Sequence, residues 1–177
     1  MLAGAIMLSV LLLDQVTKAA VRRLLAVGET VPLLDGVFHF THVRNLGAAF
    51  GLMPGNRVLF IATSLFVVVA VVLYWVKTRP RSGWLVVSLG LVCAGAMGNL
   101  IDRVFITTVT DFLDLTLIDF PVFNVADSAI VVGVGMLIVW VLFGPEPGEV
   151  YSDSPGETVS AVREGIGRPS TSDTDTQ

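Results

Sequence analysis

Three stretches of this chain, Val58 to Val76, Gly83 to Ile101 and Val125 to Phe143, run for nineteen residues each, and the only charge in any of them is Asp127, third in its stretch. A helix of that length crosses the roughly 30 Å of bilayer hydrocarbon. Lipid offers the backbone no hydrogen-bonding partner, so helices or closed barrels are the forms such segments can take. Leu2 to about Leu25 reads as a fourth span, interrupted at depth by Asp14 and Lys18. It carries no basic leader followed by a small-residue cleavage site, so the expectation is a retained helix and not a signal peptide.

Composition agrees: 54% of residues are hydrophobic and 15% charged, with a mean hydropathy of +0.79, outside the range of soluble domains. Seven of the fifteen acids but only two of the eleven bases lie beyond Pro145, so the net charge of -4 belongs to the tail. No basic stripe is left for nucleic acid. Cys93, the single cysteine, builds neither an internal disulfide nor a thiolate metal site.

The fold class expected is an all-α integral membrane protein of four transmembrane helices, within a membrane domain of residues 1–144. Residues 26–56, between the first two spans, hold Val37-Phe38-His39-Phe40-Thr41-His42-Val43, β-branched and aromatic between turn formers. This predicts a small β-sheet or hairpin at the membrane surface. Only Lys77 to Ser82 separates spans two and three, residues 102–120 form a longer loop before the last span, and residues 145–177, rich in Pro, Gly, Ser, Thr and acid, are expected to be disordered.

Four spans put the chain ends and the Lys77 to Ser82 loop on one face, and residues 26–56 and 102–120 on the other. Trp75, Trp84 and Trp140 fall at the short-loop face, as an aromatic belt would. Asp102, Asp111 and Asp127 fall at the opposite ends, and Asp14 lies toward that same side. The carboxylates can therefore converge near one membrane surface. The count of bases runs the other way for orientation: Lys18, Arg22, Arg23, Arg44, Arg57 and Arg103 lie on the carboxylate side, against three in the short loop. By the positive-inside rule that would make the carboxylate side cytoplasmic.

Each polar group has a bland reading beside a functional one. A charge in a membrane helix costs about 2.5 to 3.5 kcal/mol on insertion scales, so Asp14 requires a partner, and Lys18 one turn on supplies it. Asn99-Leu100-Ile101-Asp102 and Asn124-Val125-Ala126-Asp127 share the spacing Asn-x-x-Asp, which puts amide and carboxylate on one helix face. Asn124 after Phe120-Pro121 also reads as an N-cap with Asp127 at the third helical position. Asp102 and Arg103 read equally as an ion pair facing water. Asp111, Asp114 and Asp119 sit in a loop, where solvated carboxylates are ordinary. Arg44-Asn45-Leu46-Gly47-Ala48-Ala49-Phe50-Gly51 is a small-residue run suited to close approach by a helix or by a lipid or peptide ligand. His39 and His42 would point to opposite faces of a strand, a poor metal pair. No HExxH, no Cys cluster and no G-x-S-x-G elbow occurs. Carboxylate chemistry remains.

Five blocks in order, Leu13-Asp14-Gln15-Val16-Thr17-Lys18, Arg44 to Gly51, Gly98-Asn99-Leu100-Ile101-Asp102-Arg103, Thr110-Asp111-Phe112 and Phe123-Asn124-Val125-Ala126-Asp127-Ser128, closely resemble the lipoprotein signal peptidases (signal peptidase II). The resemblance covers roughly residues 10–143 and leaves the tail unexplained. It implies four helices with a small extracytoplasmic sheet between helices 1 and 2. It also implies a bacterial inner-membrane aspartic endopeptidase that cuts prolipoproteins just before the diacylglyceryl-modified cysteine. Both termini would then be cytoplasmic and the active site near the outer face, contrary to the count of bases.

The catalytic dyad it implies is Asp111 and Asp127. The matched Asn-x-x-Asp spacings alone would have paired Asp102 with Asp127 instead. Asp14, Lys18, Arg44, Asn45, Gly47, Ala48, Ala49, Phe50, Asn99, Asp102, Arg103, Asn124 and Ala126 become substrate-binding or site-supporting residues. No metal or other cofactor is called for, the partners are lipidated prolipoproteins and membrane lipid, and the working form is expected to be a monomer. Without the motifs, intramembrane carboxylates would favour a small transporter or channel subunit. Their gathering at one surface, and four spans with no evident inverted repeat, speak against alternating access. A structural membrane scaffold would leave the clustered Asp and Asn residues unexplained.

Overall fold

The computed structural model describes residues 2–47 and 56–144. Helices α1 (Leu2–Leu24), α2 (Arg57–Thr78), α3 (Gly83–Ile101) and α4 (Val125–Phe143) carry the hydrophobic segments, and all four are long and apolar enough to cross a membrane. Trp75, Trp84 and Trp140 lie at the ends of α2, α3 and α4 that share one face, and the Trp84 indole N–H donates to the Met136 carbonyl at 2.8 Å.

Helix α3 is the central one. About 67% of its spanning window is buried, against 17% or less in the other three. Its sequence explains this: Ser88, Gly90, Ala94, Gly95, Ala96 and Gly98 leave little side chain between α3 and its neighbours. A Cβ on Gly95 would collide with the Ala126 carbonyl oxygen, and one on Gly133 would lie 2.8 Å from the Ser88 carbonyl oxygen. Helices α3 and α4 thus meet backbone to backbone, the close packing that small residues permit in lipid.

Strands β1 (Thr30–Leu34) and β2 (Phe38–Asn45) form the expected hairpin between α1 and α2. The turn runs through Asp35-Gly36-Val37, with Gly36 at φ 69° supplying the left-handed residue such a loop requires. Pro32 lies in β1, which forms an edge of the sheet and lacks one ladder donor at that residue.

The sheet has a third strand drawn from a distant part of the chain. Residues Val109–Asp114, expected as part of a loop, form β3 and pair antiparallel with β2. The sheet is thus built from the segment between α1 and α2 together with the segment between α3 and α4. The period-2 signal was missing because Val109, Thr110, Asp111 and Phe112 are all buried, so β3 has no wet face to alternate with a dry one.

Between α3 and β3, Asp102–Ile106 continue the helix as a π-helical turn, a local widening that recurs at functional sites. After β3, the backbone of Phe123 clips onto it. The Phe112 and Leu113 N–H groups donate to the Phe123 carbonyl at 2.9 and 2.8 Å, and Phe123 N–H returns to Leu113 at 3.0 Å. This clip sets the start of α4 against β3.

Candidate active site

Asp111 sits on β3 and Asp127 in the first turn of α4, and both line one cavity of about 100 Å³ with Asn45, Gly47, Asn99, Arg103, Val109 and the Phe120–Phe123 segment. Asp111, in a segment read from the sequence as loop, is 2% exposed. On β2 and β3, Val43 pairs with Asp111 and Asn45 with Val109, so Asn45 and Asp111 are diagonal neighbours on one sheet face. The Asn45 amide donates to Asp111 Oδ2 at 2.9 Å.

The remaining donors follow from the start of α4. Asn124 is the N-cap: its Oδ1 accepts the Asp127 N–H at 2.9 Å, and Asp127 Oδ2 accepts the Asn124 N–H at 3.2 Å. This is the reciprocal arrangement of a capping box, with a carboxylate at the positive end of a helix. Because Asn124 Oδ1 is taken, its amide must donate elsewhere. It donates to Asp111 Oδ1 at 2.7 Å and to Asn99 Oδ1 at 3.2 Å. Asn99 in turn donates to Asp127 Oδ1 at 2.7 Å. Gly47 N–H occupies Asn45 Oδ1 at 2.8 Å, which fixes that amide too. All four carboxylate oxygens therefore accept one hydrogen bond each.

Behind the cavity lies a buried ionic cluster. Lys18, wholly inaccessible, contacts Asp14 at 2.9 Å and Asp102 at 3.3 Å, and donates to Asn99 Oδ1 at 3.0 Å. The i, i+4 partner expected for Asp14 is present, and Asp14 also accepts the Ala126 N–H at 2.9 Å, capping a second donor of α4. Gly98 makes room for it: a Cβ there would fall 2.5 Å from Asp14 Oδ2. Asp102 does not face water with Arg103. It is buried, accepts the Thr110 N–H at 3.1 Å, and faces Lys18 and Arg22.

Arg103 spans from the Asn99 carbonyl, at 3.4 Å, to the Gly47 carbonyl, at 3.5 Å, with its guanidinium carbon 5.2 Å from the centre of the Phe60 ring. The Arg44 side chain is exposed and, among the described residues, makes no hydrogen bond or ion pair, while its backbone pairs with Thr110 in the sheet. Ala48, Ala49 and Phe50 lie outside the described residues. Among the described residues no three His, Cys, Asp or Glu side chains are grouped so as to hold a metal ion.

Several supporting residues were not anticipated. Gln15 donates to Asp14 Oδ2 and to the Gly98 carbonyl, Arg22 to Thr110 Oγ1, and Arg57 to the Arg103 and Val104 carbonyls. Arg22 could have been found, because Asp14, Lys18 and Arg22 recur every four residues and so lie on one helix face.

Burial, and then the charge of Asp127, push the Asp111 carboxyl up to about 7, against the pull of the Asn45 and Asn124 donors and of the Lys18 charge. Two carboxylates sharing a site cannot both ionise cheaply.

The model of the signal peptidase (SPase) II family matches residues 6–143. The chain belongs to that family. It is 45% identical over 136 residues to the lipoprotein signal peptidase of Halothermothrix orenii, covering 77% of this chain and 92% of that one. It is 46% identical over 133 residues to that of Pelotomaculum thermopropionicum, covering 75% and 86%. A solved structure described as a bacterial membrane enzyme at 2.3 Å superposes with a TM-score of 0.76 at 33% identity, covering 79% of this chain and 87% of that chain. A second, at 1.9 Å, gives 0.74 at 32% identity, covering 81% and 94%. This chain is thus a multi-pass membrane protein and an aspartic peptidase with lipoprotein signal peptidase activity.

Proposed function

We propose that the peptidase removes signal peptides from prolipoproteins by cutting just before the diacylglyceryl-modified cysteine, with Asp111 and Asp127 as its general acid and base. The observation that carries the assignment is the shared cavity: of the four carboxylates clustered here, Asp111 and Asp127 line it, while Asp14 and Asp102 are tied to Lys18 and to backbone N–H groups behind it.

Asp127 is the ionised member and Asp111 the protonated one. Asp127 stands at a helix N-terminus, where a negative charge is favoured, and one of its donors is the Asn124 backbone N–H at that terminus. Asp111, held near 7, keeps its proton at lower pH. The Asp127 carboxylate takes a proton from a water molecule as its oxygen bonds to the scissile carbonyl carbon, and Asp111 delivers its proton to the carbonyl oxygen. The carbon–nitrogen bond of the resulting diol then breaks. Asp127 passes its proton to the leaving amine and one diol hydroxyl returns a proton to Asp111. The dyad ends as it began.

The acyl chains of the substrate stay in the bilayer, where their burial supplies affinity and fixes the depth of the peptide bond. The active site faces outward and both termini are cytoplasmic. Support comes from where the bases sit. Lys18 and Arg22 bind carboxylates, and Arg57 and Arg103 bind carbonyl oxygens. Arg23 and Arg44 remain exposed on that side, against exposed Lys77, Arg79 and Arg81 in the short loop. With the protein-bound bases set aside, the positive-inside rule favours a cytoplasmic short loop.

The test is mass analysis of products from a purified diacylglyceryl-modified prolipoprotein and its unmodified precursor, each incubated with the detergent-solubilised peptidase and EDTA. Cleavage before the cysteine of the lipidated form alone is expected. Equal cleavage of both forms, or loss of cleavage with EDTA, would contradict the proposal.

A further inference from the structure

Among the described residues Lys18 is the largest fully buried side chain, and it lines no part of the cavity that holds the dyad. A buried lysine carries a desolvation cost that is offset only where its charge is paired and its N–H donors are satisfied. Its ammonium group can only donate. At Asn99 it therefore needs the amide oxygen, and the bond to Oδ1 at 3.0 Å leaves Asn99 Nδ2 no choice but to face Asp127 Oδ1 at 2.7 Å. With the Asn99 amide turned over, its oxygen would meet the Asp127 carboxylate and its nitrogen would meet an ammonium group, two repulsive contacts in place of two hydrogen bonds.

Resting on the dyad reading above, we propose that Lys18 is a positioning residue for catalysis: it locks the Asn99 amide so that it donates to Asp127 and keeps that carboxylate ionised as the base. The other buried charges around Lys18, namely Asp14 on its own helix and Asp102 at the end of α3, hold the ammonium group in place. Asn124 donates to the same Asn99 oxygen, but at 3.2 Å and with an amide it shares with Asp111. Lys18 thus provides the lock from α1, and Asn124 the lock from α4.

The test compares two full-length proteins in which removal of the lysine charge is balanced by neutralising Asp102. One is Lys18→Gln/Asp102→Asn, which restores a neutral donor to Asn99, and the other is Lys18→Met/Asp102→Asn, which does not. Lys18→Leu/Asp102→Asn replaces the second if it fails to melt cooperatively in detergent. The carboxyl infrared band assigned to Asp127 by its loss in Asp127→Asn is titrated in each, a readout that needs no turnover. The result expected is ionisation at higher pH in the methionine pair than in the glutamine pair. Where Asp102→Asn itself retains turnover of diacylglyceryl-modified prolipoprotein, kcat of the methionine pair falls by roughly ten-fold or more at little-changed KM, and the glutamine pair recovers most of the loss. Identical Asp127 titrations in the two folded pairs would overturn the inference. Full activity of Asp127→Asn would overturn the dyad reading instead, without altering what the titration says of Lys18.

Discussion

Asn124 and Asp127 cap one another at the start of α4, and the same Asn124 amide reaches Asp111. One residue therefore starts a helix and joins the two carboxylates of the site. The capping and catalytic readings of this segment are one geometry.

Asn124→Ala removes both functions. Loss of an N-cap costs about 1 kcal/mol, a modest drop in thermal midpoint. Cleavage should fall much further than that drop accounts for, because Asp111 loses a donor and Asn99 loses one of its two locks. Parallel melts and rate measurements check this, and activity falling only in step with stability would contradict it.

The pH dependence follows from Asp111. Its folded-state pKa of about 7 lies above the unfolded carboxyl value of about 3.9. Between those values the native state holds a proton the unfolded state has released, so this group's stabilising contribution is full in acid and is lost as pH rises through about 7. In Asp111→Asn that slope should disappear from a series of detergent melts between pH 5 and pH 8. Activity of the wild type should decline on the alkaline side as Asp111 loses the proton it delivers.

Gly98→Ala probes the ionic cluster without touching a charge. The added methyl group would lie 2.5 Å from Asp14 Oδ2 and 3.2 Å from the Ala126 side chain. Overpacking of this kind costs about 1 to 3 kcal/mol. The variant should melt lower and cleave more slowly, because Asp14 is displaced from the Ala126 N–H. An unchanged melting curve would contradict this packing.

Membrane orientation is open to direct measurement. A cysteine at Arg81, in the short loop, should react with an impermeant thiol reagent only after the membrane is opened. One at Leu117, 68% exposed beyond β3, should react in intact spheroplasts. The reverse pattern would place the active site on the cytoplasmic face.

The helices were legible because bilayer thickness imposes a length that uncharged sequence reveals directly. Helices α3 and α4 begin and end where their apolar runs do. Strand β3 was not legible, because it is buried on both faces and its strand partner β2 lies more than sixty residues earlier in the chain. Asp111 accordingly looked like an ordinary loop carboxylate, and its selection over Asp102 came from the family resemblance. Asp102 looked like a water-facing partner of Arg103, because nothing in its own segment announces the Lys18 and Arg22 that α1 brings to it. Asp14 with Lys18, and Asn124 with Asp127, were legible since each pair lies within a single helical turn.

The central claim is that Asp111 and Asp127, and not the fully buried Asp102, perform the chemistry. Single-turnover cleavage of diacylglyceryl-modified prolipoprotein by Asp111→Asn, Asp127→Asn and Asp102→Asn, each confirmed folded by its melt, measures this most directly. The account predicts no detectable cleavage by the first two and measurable cleavage by the third. Cleavage by either dyad variant at a rate equal to or above that of Asp102→Asn would contradict it.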